Sequence, residues 1–186
     1  MVVKPLVYRP FFLFNNSLND LYLLDYLIIV FMDKKQQFNI YLHQMERYCD
    51  YQERCLKDVE DKLIKLEVPT DVHETLIEAL LLNKSFDNIR YAKAFASGKF
   101  RFKKWGRKKI FYALKLKKVE DRDIFNALLE IDEEDYFVTL KELVSYKIKD
   151  IGSIKEPVNK KKVLNYALQK GYESNLIWEV FKAIEN

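Results

Sequence analysis

From Phe38 onward, apolar residues recur at three- and four-residue spacings, the period of a helix with one buried face. One such stripe links Cys55, Val59, Leu63 and Leu66 in a helix expected from about Phe38 to Leu66. A second, Val72, Leu76, Ile77 and Leu80, predicts a helix over Asp71 to Leu82, with Pro69 as the break between the two. A third helix is expected from about Phe86 to Lys104, with Ala92, Phe95, Ala96, Lys99 and Phe102 on one face. The alternation of Phe100 and Phe102 with Lys99, Arg101 and Lys103 would also suit a strand at that end. Gly106 is expected to stop this helix and let the next begin. Four glycines and four prolines leave few places for hairpin turns, so the chain reads as all-α.

The helices repeat. In "KKIFYALKLKKVEDRDIFNALLEI", Ile110, Leu114, Val119, Ile124 and Leu128 are apolar. In "KKVLNYALQKGYESNLIWEVFKAI", Val163, Ala167, Tyr172, Ile177 and Phe181 stand at the same offsets. A looser copy, "VEDKLIKLEVPTDVHETLIEAL", runs from Val59 to Leu80 and is shorter by about one residue in its turn. Each copy is a helix, a tight turn and a second helix, and units this small gain stability by stacking on neighbours. The expected fold is therefore all-α: tandem three-helix, helix-turn-helix-like repeats forming an elongated curved array without a compact pocket. The repeats span residues 32–82, 83–134 and 135–186, and "DIGSIKEPVNKKK" (Asp150 to Lys162) is the loop inside the last one.

Residues 1–31 stand apart. "LYLLDYLIIVF" is strongly apolar, yet Asp20 and Asp25 interrupt it short of the roughly 20 apolar residues that a spanning helix needs. "VFMDKKQQ" offers no small-residue cleavage site. The segment is read as a translated leader without a fold of its own, with Met32 as the natural start, in preference to a docking helix or hairpin or a membrane anchor.

Composition narrows the class. With 49% hydrophobic and 32% charged residues the chain is globular, and a net charge of +4 makes any attraction to a polyanion a matter of distribution. From Lys99 to Lys118 every charged side chain is Lys or Arg. Glu120, Asp121, Asp123 and "IDEED" (Ile131 to Asp135) then reverse the sign, so a basic face should be followed by an acidic one. Cys49 and Cys55 form no disulfide framework and fit a reducing, cytoplasmic setting. His43 and His73 lack metal-ligand spacing, and neither a nucleophile elbow nor a phosphate-cradling glycine loop is present, so an enzyme, a metal and a cofactor are not expected.

The basic stretch "GKFRFKKWGRKKI" carries the chemistry. Arg107, Lys108 and Lys109 crowd the start of a helix, where backbone N–H groups attract anions and the dipole disfavours cations; that local cost argues for a functional role. Each Lys or Arg that neutralises a phosphate releases counterions. Trp105, if exposed, could stack on a base. Against this stands the plainer reading in which Phe102, Trp105 and Ile110 are core and the lysines a solvated rim. The expected nucleic-acid or filament contacts are Arg90, Lys99, Arg101, Lys103, Lys104, Trp105, Arg107, Lys108 and Lys109. Glu133, Glu134 and Asp135 either face a basic protein or serve as helix-start acids.

At these residues the chain resembles the RecX family, the regulators of the bacterial recombinase RecA. The family's middle repeat reads F-x-[DE]-x-R-[FY]-A-x-x-[FY], a basic run, then [YW]-G-x-x-[RK]-I-x-x-E-L. Phe86, Arg90, Tyr91, Ala92 and Phe95 match the first part, and Trp105, Gly106, Lys109, Ile110 and Leu114 the second. Asn88 stands where an acid is usual, Arg107 where proline is common, Ala113 where glutamate is common, and Lys118 where the turn often has the glycine that Gly171 keeps. "YQERC" (Tyr51 to Cys55) is similar to the region opening the first repeat. The resemblance implies a non-enzymatic regulator of DNA repair, homologous recombination and the SOS response. It would be a monomer, apart from any membrane, in the helical groove of the RecA filament on single-stranded DNA, suppressing ATP hydrolysis, strand exchange and co-protease activity. The residues alone leave two other classes open: a stand-alone helical nucleic-acid binder and a pure protein-interaction solenoid. Binding to bare oligonucleotide at low salt, without recombinase, separates them.

Overall fold

The computed structural model describes residues 16–185 and contains, among them, nine α-helices and no strand. They are α1 (Asn16–Asp50), α2 (Leu56–Lys65), α3 (His73–Leu82), α4 (Asn88–Lys103), α5 (Arg107–Leu116), α6 (Asp121–Leu129), α7 (Glu133–Ile151), α8 (Pro157–Lys170) and α9 (Ser174–Glu185). The all-α expectation holds, and the ambiguous Phe100–Phe102 segment is helix. The chain divides into two units, residues 1–41 and 42–186. Of the leader expected over residues 1–31, residues 1–15 lie outside the described ones, and Asn16 onward is helical. In the first unit Leu23, Leu24, Leu27, Ile28, Phe31 and Met32 are exposed, and Gln37 Nε2 donates to Tyr41 OH at 3.0 Å. No helix among the described residues is long and apolar enough to cross a membrane.

The second unit is built of three-helix modules: the end of α1 with α2 and α3, then α4–α6, then α7–α9. The repeat is visible in burial. Ile110, Leu114, Val119, Ile124 and Leu128 are all buried, and so are Val163, Ala167, Tyr172, Ile177 and Phe181 at the matching offsets. Three elements differ from expectation. The loop read as Asp150 to Lys162 is confined to residues 152–156, because α7 runs on to Ile151 and Pro157 opens α8 at a position where its missing N–H costs nothing. The helix read as Phe38–Leu66 is interrupted at Tyr51–Cys55, because Cys55 takes an extended conformation (φ −98°, ψ 168°) as the N-cap of α2, and its side chain and that of Asp58 form a capping box. Gly106 is not what stops α4. Lys104, left-handed at φ 53°, ends the helix, with its N–H on Phe100 O and the Trp105 N–H on Lys99 O closing the last turn.

Adjacent modules use the same socket twice. The first free N–H of a module's second helix is capped by a side chain from the next module's first helix: Leu56 N–H by Asn88 Oδ1 at 2.9 Å, and Arg107 N–H by Tyr136 OH at 2.9 Å. Beyond this shared device the two junctions diverge. The second and third modules share one continuous core running from Tyr91 to Phe181, threaded by the neighbouring rings of Phe100, Tyr136 and Tyr172; from the first module it includes only Cys55.

Candidate nucleic-acid interface

The basic stretch spans the last turn of α4, a three-residue turn and the first turn of α5. Arg101, Phe102, Lys103 and Lys104 are exposed, and Lys103 lies one turn beyond Lys99 on α4. Phe102 is 83% exposed; Phe100 takes the buried position instead, in step with Ala92 and Ala96. The face first read as Ala92, Phe95, Ala96, Lys99 and Phe102 is therefore turned toward Phe100. The strict four-residue step followed by this helix accounts for the turn.

The first three amides at the start of α5 are not free. Gly106 N–H donates to Lys170 O at 2.8 Å, Arg107 N–H to Tyr136 OH, and Lys108 N–H to Gly171 O at 3.1 Å. The C-terminal carbonyls of α8 thus meet the N-terminal amides of α5, so opposite partial charges of two helix dipoles face each other. This overturns the reading of that end as an open anion cradle. It also explains Lys109 at a position where the dipole of its own helix disfavours it: its Nζ donates to Gln169 O at 3.1 Å, serving the end of α8.

Gly106 and Gly171 make the approach possible. A Cβ on Gly106 would lie 2.3 Å from the carbonyl carbon of Gly171, and one on Gly171, already at φ 95°, would lie 2.3 Å from Lys109 Cβ. Gly106 itself has an ordinary extended backbone (φ −78°), so it is needed for close contact and not for turning.

The nine expected residues then separate by environment. Arg90 Nε bonds both oxygens of Glu53 at 3.1 Å. Arg107, only 20% exposed in its side chain, lies 4.3 Å from the Tyr136 ring centroid and binds Glu133 Oε1 at 2.9 Å and Ile131 O at 2.8 Å. Both read better as clamps between modules than as contacts for phosphate. Glu133 is that clamp's acid, and Asp132 caps α7 by accepting from Asp135 N–H at 2.9 Å, so the acidic run is partly helix-start chemistry. Trp105 is half-buried between two cations, Lys99 Nζ at 5.1 Å and Lys109 Nζ at 4.9 Å from its centroid. Lys99, Arg101, Lys103, Lys104, Lys108 and Lys109 have no carboxylate partner among the described residues. Of these, Arg101, Lys103, Lys104 and Lys108 are exposed at the tip of α4 and the start of α5.

Sequence reasoning missed three features. Arg54 is held at 4.0 Å over the Tyr48 ring, on the wall of a cleft between the first and second modules. Lys117, which lines the same cleft from the end of α5, pairs with Asp58 at 2.7 Å. Burial alone would raise the Asp58 carboxyl, but the hydrogen bonds from Lys117 and Cys55 outweigh it and hold the group below its ordinary value; the same bond holds Lys117 above its own. The third is an open apolar groove of about 540 Å³ on α5 and α6, floored by Phe111, Tyr112, Phe125 and Leu129, where no pocket was expected. A run of helical spacing marks its residues as apolar but not as uncovered. Among the described residues no group of three His, Cys, Asp or Glu side chains is placed to hold a metal.

Comparison with known proteins bears out the resemblance. Residues 87–128 match the family model described as RecX, second three-helix domain. Two curated relatives named Regulatory protein RecX, from strains of Lactobacillus delbrueckii subsp. bulgaricus, are 27% and 26% identical over 130 residues. That alignment covers 70% of this chain and 48% of each relative, so the chain spans about half the length of the curated relatives it matches. A crystal structure of regulatory protein RecX has the same fold, with a TM-score of 0.77 at 21% identity over 83% of this chain and 76% of that one. The crystal structure of RecX from Lactobacillus salivarius gives 0.73 at 20% identity, over 81% and 98%.

Proposed function

We propose that this relative of the RecX family is a non-enzymatic regulator of a RecA recombinase. It lies as a cytoplasmic monomer in the groove of the RecA filament on single-stranded DNA and suppresses ATP hydrolysis, strand exchange and co-protease activity. The observation that carries the reading is the cluster of exposed, carboxylate-free cations at the end of α4 and the start of α5, Arg101, Lys103, Lys104 and Lys108, carried on the module that matches the RecX domain. Unpaired ammonium and guanidinium groups on one helix end are a phosphate-neutralising surface, and they read charge, not sequence.

The test is ATP hydrolysis by the cognate recombinase on single-stranded DNA, titrated with this protein and with a variant carrying Arg101, Lys103, Lys104 and Lys108 all as Gln. Inhibition by the wild type that weakens at least tenfold in the variant is the expected result. No inhibition by the wild type removes the function; equal inhibition by both removes the assignment of the surface. A stand-alone nucleic-acid binder would instead hold bare oligonucleotide tightly and leave recombinase activity untouched.

A further inference from the structure

The cleft between the first and second modules is walled by the Tyr51–Cys55 break and the start of α2 on one side and by α4 on the other, with Lys117 from the end of α5 beside them. Its volume is about 430 Å³, within the roughly 300–1,000 Å³ typical of small-ligand clefts. Its acids are already committed: Glu53 to Arg90, and Asp58 to Lys117 and the Cys55 N–H. Two cations, one from each wall, are not. Arg54 is held 4.0 Å over the Tyr48 ring, with its Nε donating to Tyr48 O at 3.4 Å, and it has no carboxylate partner among the described residues. Lys99 stands over the ring of Phe95 at 5.0 Å. Phe95 is half-buried and braced by the Tyr91 ring at 5.8 Å, so a flat, rigid aromatic lines the cleft beside the cations.

A guanidinium fork held on a ring, a second cation without a carboxylate partner and an aromatic face form a site for an anion attached to a planar ring. We infer that this cleft takes one nucleotide unit of a single-stranded nucleic acid, its phosphate between Arg54 and Lys99 and its base against Phe95. The inference rests on the nucleic-acid half of the proposed function and adds a defined seat to a surface of loose charges. Lys99 sits one turn before Lys103, so a strand leaving the cleft meets the exposed cations at the end of α4. A peptide carboxylate would use the two cations and leave Phe95 idle, which is why a nucleotide fits better.

Fluorescence anisotropy of a labelled oligothymidylate on the full chain at low salt, with circular dichroism as a check on folding, tests it. Arg54→Gln and Lys99→Gln should each weaken binding about tenfold and lower the slope of log affinity against log salt by about 0.7, the value for one phosphate contact on a single strand. Phe95→Leu should weaken binding severalfold with the slope unchanged. Because Arg54 packs on Tyr48, Lys99 decides the matter if the Arg54 variant fails to fold, and Lys99→Arg should then restore binding. Wild-type affinity in both cation variants, with loss only in Lys103→Gln and Lys104→Gln, overturns the seat and leaves the wider reading standing. Equal competition by polyglutamate with no effect of Phe95→Leu overturns it in favour of an acidic peptide. No oligonucleotide binding by the wild type overturns it outright, and the recombinase assay then decides independently whether the regulator survives.

Discussion

The junction between the second and third modules is centred on backbone contact, with the Arg107–Glu133 clamp beside it, whereas the junction between the first and second relies on ion pairs between side chains. At the former, Gly106 and Gly171 touch without side chains, the amides of α5 donate to the carbonyls of α8, and the buried core continues across. At the latter, three ion pairs, Arg90–Glu53, Lys117–Asp58 and Lys118–Glu60, cross beside the Asn88 cap, and the cleft lies among them. Buried backbone contacts do not respond to salt or pH, whereas partly exposed ion pairs do. One copy of a repeat can therefore be fused to its neighbour while another copy remains adjustable.

The sharpest way to break the comparison is Gly171→Ala, which adds a Cβ where Lys109 leaves no room and φ is 95°. It should cost about 3 kcal/mol, read as a lower midpoint of denaturant unfolding for α4 through α9 together. A loss confined to α8 and α9 would show that the two modules are not fused. The next effect is on the adjustable junction. The Asp58 carboxyl is held below its ordinary value of 3.8, so the stability that its pairing supplies is present above about pH 4 and fades as pH falls through the lower, folded-state value. Asp58→Asn should remove about 1 kcal/mol at neutral pH, flatten that acid response, and raise hydrogen exchange in α2 and α3 while sparing α7–α9. Exchange rising equally in both regions would sink the distinction. The smallest effect is at Lys118, which occupies the turn position corresponding to Gly171 at φ 59° with only an exposed contact to Glu60 at 3.4 Å. Lys118→Gly should gain about 0.5 kcal/mol, since relief of the left-handed strain outweighs a weak surface pair.

The core was largely legible in the sequence. Burial in helices follows a local period, and the ten apolar positions at matching offsets in the last two modules are all inside. Candidate-site residues were legible as types but not as partners. Arg107 and Glu133 lie 26 residues apart and Arg90 and Glu53 lie 37 apart, and a linear charge pattern does not reveal which cation meets which acid. Gly106 was read for backbone freedom because that is glycine's local meaning; its actual requirement comes from Gly171, on another module. Phe102 was placed inside by periodicity that drifted by two residues near the helix end.

A module whose turn carries lysine could not seat against Gly106, since the Cβ of any side chain at that turn collides with Lys109. The bricks are keyed. Placing a copy of the middle one where the last one stands would leave a joint that does not close, so the order of the two is written into their turns.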